Sequence, residues 1–293
     1  MNSATKSISY GYDAVVDRTQ QVRTGITTPG TTNSTYDNAD QLTQTTAGST
    51  NTTFTYDADG NQTAQGTRTF AYDLQGRMKS TTSGSTTTNY TYDGNDLRLT
   101  RATGASVNTR CSWDTLAPLP ELALERTNSH ALIRRYIQGP AGPISMATCA
   151  SAVYYYHRDP IGSVTDMTST TGATQWKYEY EPYGAALTTT KVNTSAPANQ
   201  TGFTGAYQDP EWANYHLRAR QYDPATGRFL ATDPVDPARS AQYVSAYAYA
   251  NNRPGVLTDP SGLLPGLDDL RGSLSFTLGD LRGSLSFTPG AWL

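Results

Sequence analysis

The sequence is poor in the residues from which most catalytic and cofactor sites are built. Only two cysteines, Cys111 and Cys149, stand in 293 residues. They make no disulfide framework and leave two free thiols or one bridge open. The three histidines, His130, His157 and His216, are scattered singly. No HxxxH spacing or converging ligand set is present, so no metal site is expected. No glycine-rich phosphate loop occurs, and Ser261 has neither a GxSxG setting nor a positioned base. No cofactor is expected either. Charge is scarce: 16% of residues are charged and the net charge is −3, without a basic cluster. A nucleic-acid partner needs Lys and Arg density to displace counterions, so none is expected. No apolar run approaches the roughly 20 residues of a membrane span. The opening residues MNSATKSISYGYD carry no apolar stretch of the signal-peptide kind.

The apolar content comes instead from 20 Tyr, against 6 Phe and 4 Met. Tyrosine buries a ring and keeps a polar tip, which suits half-wet sheets better than a dry core. Tyr and the still more frequent Thr both favour strands. Between Ser9 and Leu99 the tyrosines head a loose repeat: YDAVVDRT at Tyr12, YDNADQLT at Tyr36, YDADGNQT at Tyr56, YDLQGRMK at Tyr72 and YDGNDLRL at Tyr92. An alternating lead-in such as Phe54-Thr-Tyr56 puts aromatics on one strand face. Asp with a Gly or Asn then makes the turn, and a return strand follows. The Thr/Ser/Gly stretches between units, such as 81–88, read as polar loops or edge strands.

From Arg110 to Ser151 the pattern loosens, and Leu119–Arg126 suits a short helix or a strand. Val153 then opens a dense run of hairpins. It holds turns at Arg158–Gly162 and Thr170–Gly172, and a strand alternating Trp176, Tyr178 and Tyr180. The stretch Arg218–Leu263, RARQYDPATGRFLATDP through PGVLTDPSGL, packs several Asp-Pro steps into fewer than fifty residues. The thirty residues after it look like nothing else in the chain. They contain a direct repeat, DLRGSLSFT at Asp269 and again at Asp280, and are too short to fold alone.

The YD units, YYYHRDPIGSVTDMT, YEPYG, FTGAYQD, YHLRARQYDPATGRFLATDP and PGVLTDPSGL, taken in order from Ser9 to Leu263, resemble the Rhs / YD-repeat family with its repeat-associated core. The resemblance implies an all-β fold, a ribbon of β-hairpins spiralling into a hollow shell. A core would plug one end and mark the boundary with a variable C-terminal domain, often a toxin. With about 260 residues of hairpins, the shell is expected to be incomplete. Three regions follow: 1–110 YD-repeat hairpins, 111–263 core region, 264–293 variable tail.

The resemblance also implies one self-inflicted cut after the leucine of DPxGL, dependent on two aspartates. On this chain those are Asp233 and Asp259, and the bond is Leu263–Leu264. Two carboxyls in one site do not both ionise easily, so one can act as acid and the other as base. On the residues alone, each aspartate reads as the start of an Asp-Pro turn. Arg228, lying between Asp-Pro steps, is the candidate partner for either carboxylate, or a plain surface or shell-lining arginine. Such an activity would be an aspartate-dependent intramolecular proteolysis without multiple turnover. The chain departs from the family in its 26-residue spacing from Asp233 to Asp259, in the stretch Val235–Gln242 that replaces a Gly-rich run, and in the short tail. The implied role is a structural, encapsulating part of a polymorphic toxin system. It would be secreted or at the surface of a bacterium, with secretion-apparatus or other shell components as partners. Two rivals stay open: a module binding cell-surface glycans through Trp176, Tyr178 and Tyr180, and an inactive truncated remnant.

Overall fold

A computed structural model describes residues 6–140, 142–234 and 245–263. The stretch 235–242 and the tail, with its duplication and Leu264, lie outside the described residues. Eighteen strands, from β1 (Ser7–Tyr12) to β18 (Ala186–Lys191), form one antiparallel meander. Each pairs with its neighbours in sequence. The sheet crosses residue 110 without a break, since β11 runs Ser106–Asp114. The ambiguous segment near Leu119 is a strand, β12 (Glu121–Arg126). The Thr-rich stretch 81–88 is hairpin as well, shared by β8 (Met78–Ser83) and β9 (Thr86–Tyr92).

The repeat has a physical logic at each turn. In every YD unit the Asp Oδ1 accepts the amides two and four residues on, as Asp57 does from Asp59 (3.0 Å) and Asn61 (2.8 Å). Asp13, Asp37, Asp73, Asp93 and Asp159 do the same. The carboxylate thereby occupies amides that the turn leaves without backbone acceptors. The tyrosine joins one unit to the one before it. The hydroxyls of Tyr36, Tyr72 and Tyr92 donate to the carbonyls of Arg18, Gln62 and Met78, at 2.8, 3.0 and 2.8 Å. Thr pairs such as Thr55–Thr63 (2.8 Å) and Thr82–Thr87 (2.9 Å) link strands crosswise. The register shifts next to the tyrosine in unit after unit, at Gly11/Tyr12, Thr35/Tyr36, Thr55/Tyr56 and Ala71/Tyr72. Bulges bend and twist a strand, and repeating them along one rim curls the ribbon.

The curl brings the two ends of the ribbon together. Lys6 meets Glu179 at 3.3 Å, and Tyr12 meets Tyr183 hydroxyl to hydroxyl at 2.8 Å. Glu181 takes Gln21 (2.7 Å) and Arg23 (2.6 Å) from β2 (Arg18–Thr24). Among the described residues no ladder joins β1 to β18, so the sheet is open and its ends touch only through side chains.

A second, four-stranded sheet fills the turn-bearing rim: β19 (Tyr207–Gln208), β20 (Tyr215–Leu217), β21 (Arg220–Asp223) and β22 (Arg228–Phe229). Its aromatic centre comprises Tyr183, Phe203, Tyr215, Tyr222, Phe229 and Tyr249, all buried. It meets the ribbon turn by turn. Asn252 donates to the Val16 carbonyl at 2.7 Å, Tyr247 to Gly60 at 2.7 Å, and the Thr204 amide to Ser163 Oγ at 3.1 Å. Arg98 and Asp209 form a fully buried pair at 2.6 and 3.2 Å. The small sheet therefore plugs one end of the curled ribbon.

Candidate functional site

The site lies where the plug ends. Arg220 opens β21 and is almost fully buried, its guanidinium 3.6 Å from the centre of the Phe229 ring. From there it reaches four groups. Nη2 donates to Asp233 Oδ2 at 2.9 Å and lies 3.4 Å from Asp259 Oδ2. Nη1 donates to the Ala246 carbonyl at 3.0 Å, and Nε donates to the Gly262 carbonyl. Asp233 and Asp259, 26 residues apart, are thus brought to a single nitrogen.

The two carboxyls differ in setting. Asp259 is shut away, whereas the Asp233 side chain keeps 18% of its exposure. Asp259 Oδ1 accepts the Gly262 amide (2.8 Å), the Leu263 amide (3.1 Å) and the Ser261 hydroxyl (3.0 Å). Burial pushes its carboxyl above the ordinary value, opposed by Arg220 and by these donors. Burial likewise lowers Arg220, against the pull of Asp233 and Asp259. Ser261 is a turn residue here, accepting the Leu263 amide at 3.1 Å. Gly262 sits at φ +70, and a Cβ there would collide with the Leu217 carbonyl oxygen. Only glycine fits this backbone.

Arg228 does not serve this pair. It donates to Asp17 at 2.6 Å, to the Asp40 carbonyl and to Ser245 Oγ at 3.2 Å, between the rings of Tyr36 and Tyr247. It is a buried anchor between plug and ribbon rather than a partner of Asp233 or Asp259. Asp223 is a turn residue, with Oδ1 accepting the Ala225 amide at 2.9 Å, and it also holds Gln65 at 3.1 Å. His216 is buried in the plug against Trp113, while His157 lies exposed beside Thr168 at 3.0 Å. Trp176, Tyr178 and Tyr180 stack along β17 (Thr174–Tyr180) at 5.9 and 6.4 Å. The loop beyond β18 reaches back to them, with Trp176 donating to the Pro197 carbonyl (2.9 Å) and Asn199 to the Tyr178 hydroxyl (3.1 Å).

Reasoning from sequence missed Arg220. Arg218, Arg220 and Arg228 have identical chemistry, and no spacing rule says which faces a carboxylate 13 residues on. The one local signal is alternation, which puts Arg220 on the same face of β21 as the core residue Tyr222.

Comparison with known proteins agrees with this architecture. The chain is 32% identical to the tRNA nuclease WapA of Bacillus subtilis over 131 residues, 44% of this chain and 6% of that protein. It is 29% identical to the toxin protein Tse5 of Pseudomonas aeruginosa over 117 residues, 38% of this chain and 8% of that one. The chain therefore spans less than a tenth of the length of these relatives. Among solved structures, TcdB2-TccC3-TEV superposes over 87% of this chain and 15% of that one, at TM-score 0.60 and 17% identity. The Photorhabdus luminescens Tc holotoxin pore covers 89% and 17%, at TM-score 0.58 and 16% identity. These two establish the fold alone. The Teneurin YD-shell model matches residues 2–255, and the chain belongs to that family.

Proposed function

We propose that this chain is part of an encapsulating shell of a toxin system, and that its core cuts the chain once, after Leu263. The observation that carries the reading is the Arg220 guanidinium. It gathers Asp233, Asp259 and the carbonyl of Gly262, the residue before Leu263. In this scheme Asp233, the more open carboxylate, takes a proton from water. The water oxygen bonds to the Leu263 carbonyl carbon and the Leu263–Leu264 C–N bond breaks. Asp259, whose burial favours its protonated form, gives its proton to the departing Leu264 nitrogen. The products are a Leu263 carboxylate and a free amine. The new carboxylate stays on the chain that made it, so the reaction runs once. The names of the relatives, a nuclease and a toxin, support a place in a secreted bacterial toxin assembly, with further shell or secretion components as partners.

Mass spectrometry of the purified chain tests the cut. The expected result is loss of residues 264–293 from the wild type, and an intact chain in Asp233→Asn and in Asp259→Asn. An intact, folded wild type would overturn the catalytic part and leave the shell reading standing.

A further inference from the structure

Three consecutive plug residues hold three consecutive carbonyls of the segment leading to Leu263. Arg218 Nη1 donates to the Pro260 carbonyl, the Ala219 amide to Ser261 (3.2 Å), and Arg220 Nε to Gly262. The left-handed Gly262 lies flat against the Leu217 carbonyl and permits this register. All three contacts go to backbone oxygens, and they add to the hold that the Asp259 side chain has on Arg220.

Unlike Arg220, whose other partners Asp233, Asp259 and Ala246 all belong to the plug, Arg218 is also bonded to the ribbon. Its Nε donates to the Pro120 carbonyl at 2.6 Å, in the turn between β11 and β12 of the ribbon. One guanidinium thus spans the ribbon and the segment that carries the cut. Thr258 and Pro260 border a cleft of about 650 Å³, shared with Glu121, Leu122 and Arg218 itself. A planar guanidinium donating in two directions suits this bridging, and a lysine ammonium on a flexible stem does not reproduce it.

We propose that Arg218 is a positioning residue that makes the cut conditional on the plug being seated in the ribbon. Its hydrogen bonds to Pro120 and Pro260 go to backbone carbonyls rather than to the carboxylates. Pro120 holds Arg218 from the ribbon side, and Arg218 holds the Pro260 end of the segment. A plug not yet docked on the turn at Pro120 lacks this restraint, so the segment ending at Leu263 is less firmly held at Asp259. This rests on the proposed cleavage.

The test compares wild type with Arg218→Ala. If Arg218 positions the segment, the variant folds, melts within a few degrees of the wild type, and releases residues 264–293 at least tenfold more slowly. Low millimolar guanidinium restores most of the rate, which a general loss of folding would not allow. Cleavage at the wild-type rate, or slow cleavage that guanidinium does not restore, overturns the proposal. The clamp has a separate readout. In the Asp233→Asn background, Arg218→Ala should raise amide hydrogen exchange in residues 259–263 at least tenfold. Unchanged exchange also overturns it. If the wild type itself stays intact, the cleavage reading has failed, whereas the exchange result still decides whether Arg218 clamps the segment.

Discussion

Arg228 and Asp17 are 211 residues apart in the chain and form a buried ion pair, Nη1 to Oδ1 at 2.6 Å. Arg228 belongs to the last strand of the plug and Asp17 to the first YD turn of the ribbon. The pair therefore ties the two ends of the fold together.

Removing one partner leaves the other charge buried without its counter-ion, which costs about 3–5 kcal/mol. Asp17→Ala should lose stability on that scale in a denaturant titration. The double variant Asp17→Ala, Arg228→Met should recover part of the loss, because no buried charge remains. A double variant as unstable as the sum of the singles would show that the two residues do not act as a pair.

His216 sets a pH dependence of folding. Burial and the nearby Arg98 and Arg218 charges hold its imidazole well below the ordinary value. The folded chain keeps it neutral, while the unfolded chain takes up a proton below about pH 6.5. The unfolded state then binds more protons, so stability falls as pH falls, by up to about 1.4 kcal/mol per pH unit for this one group. Denaturation midpoints between pH 7 and 5 should drop less in His216→Gln than in the wild type. Parallel curves would refute the assignment.

The two cysteines should separate by reactivity. Both are free thiols; Cys111 is buried and Cys149 exposed. Burial pushes the Cys111 thiol up to about 12, so almost no thiolate forms near neutral pH. A thiol reagent should modify Cys149 alone in the folded chain and both cysteines after unfolding. Equal labelling of the two under native conditions would contradict the packing around β11.

Much of the ribbon was legible in the sequence. Each Asp of a YD unit acts within four residues of itself, and period-two aromatics such as Phe54 and Tyr56 mark their face without reference to distant chain. The Thr-rich stretches were harder to read. Their hydroxyls pair across strands, as Thr82 does with Thr87, so a composition that also suits a loop builds strands once neighbours are present. Of the site, the resemblance pointed to Asp233 and Asp259, whereas position between the Asp-Pro steps pointed to Arg228, which pairs with Asp17 instead. Choosing among Arg218, Arg220 and Arg228 depends on which face of the plug sheet meets which part of the chain.

The sequence by itself determined the unit of construction: a tyrosine, a turn-capping aspartate and a return strand, all governed by contacts a few residues long. Only the tertiary structure decided where the ribbon meets itself, at Glu181 with Gln21 and Arg23, and which guanidinium gathers Asp233 and Asp259. The physical reason is that bulges beside successive tyrosines add small local bends into a full circuit. A charge pair between distant segments exists only after that circuit has brought them together.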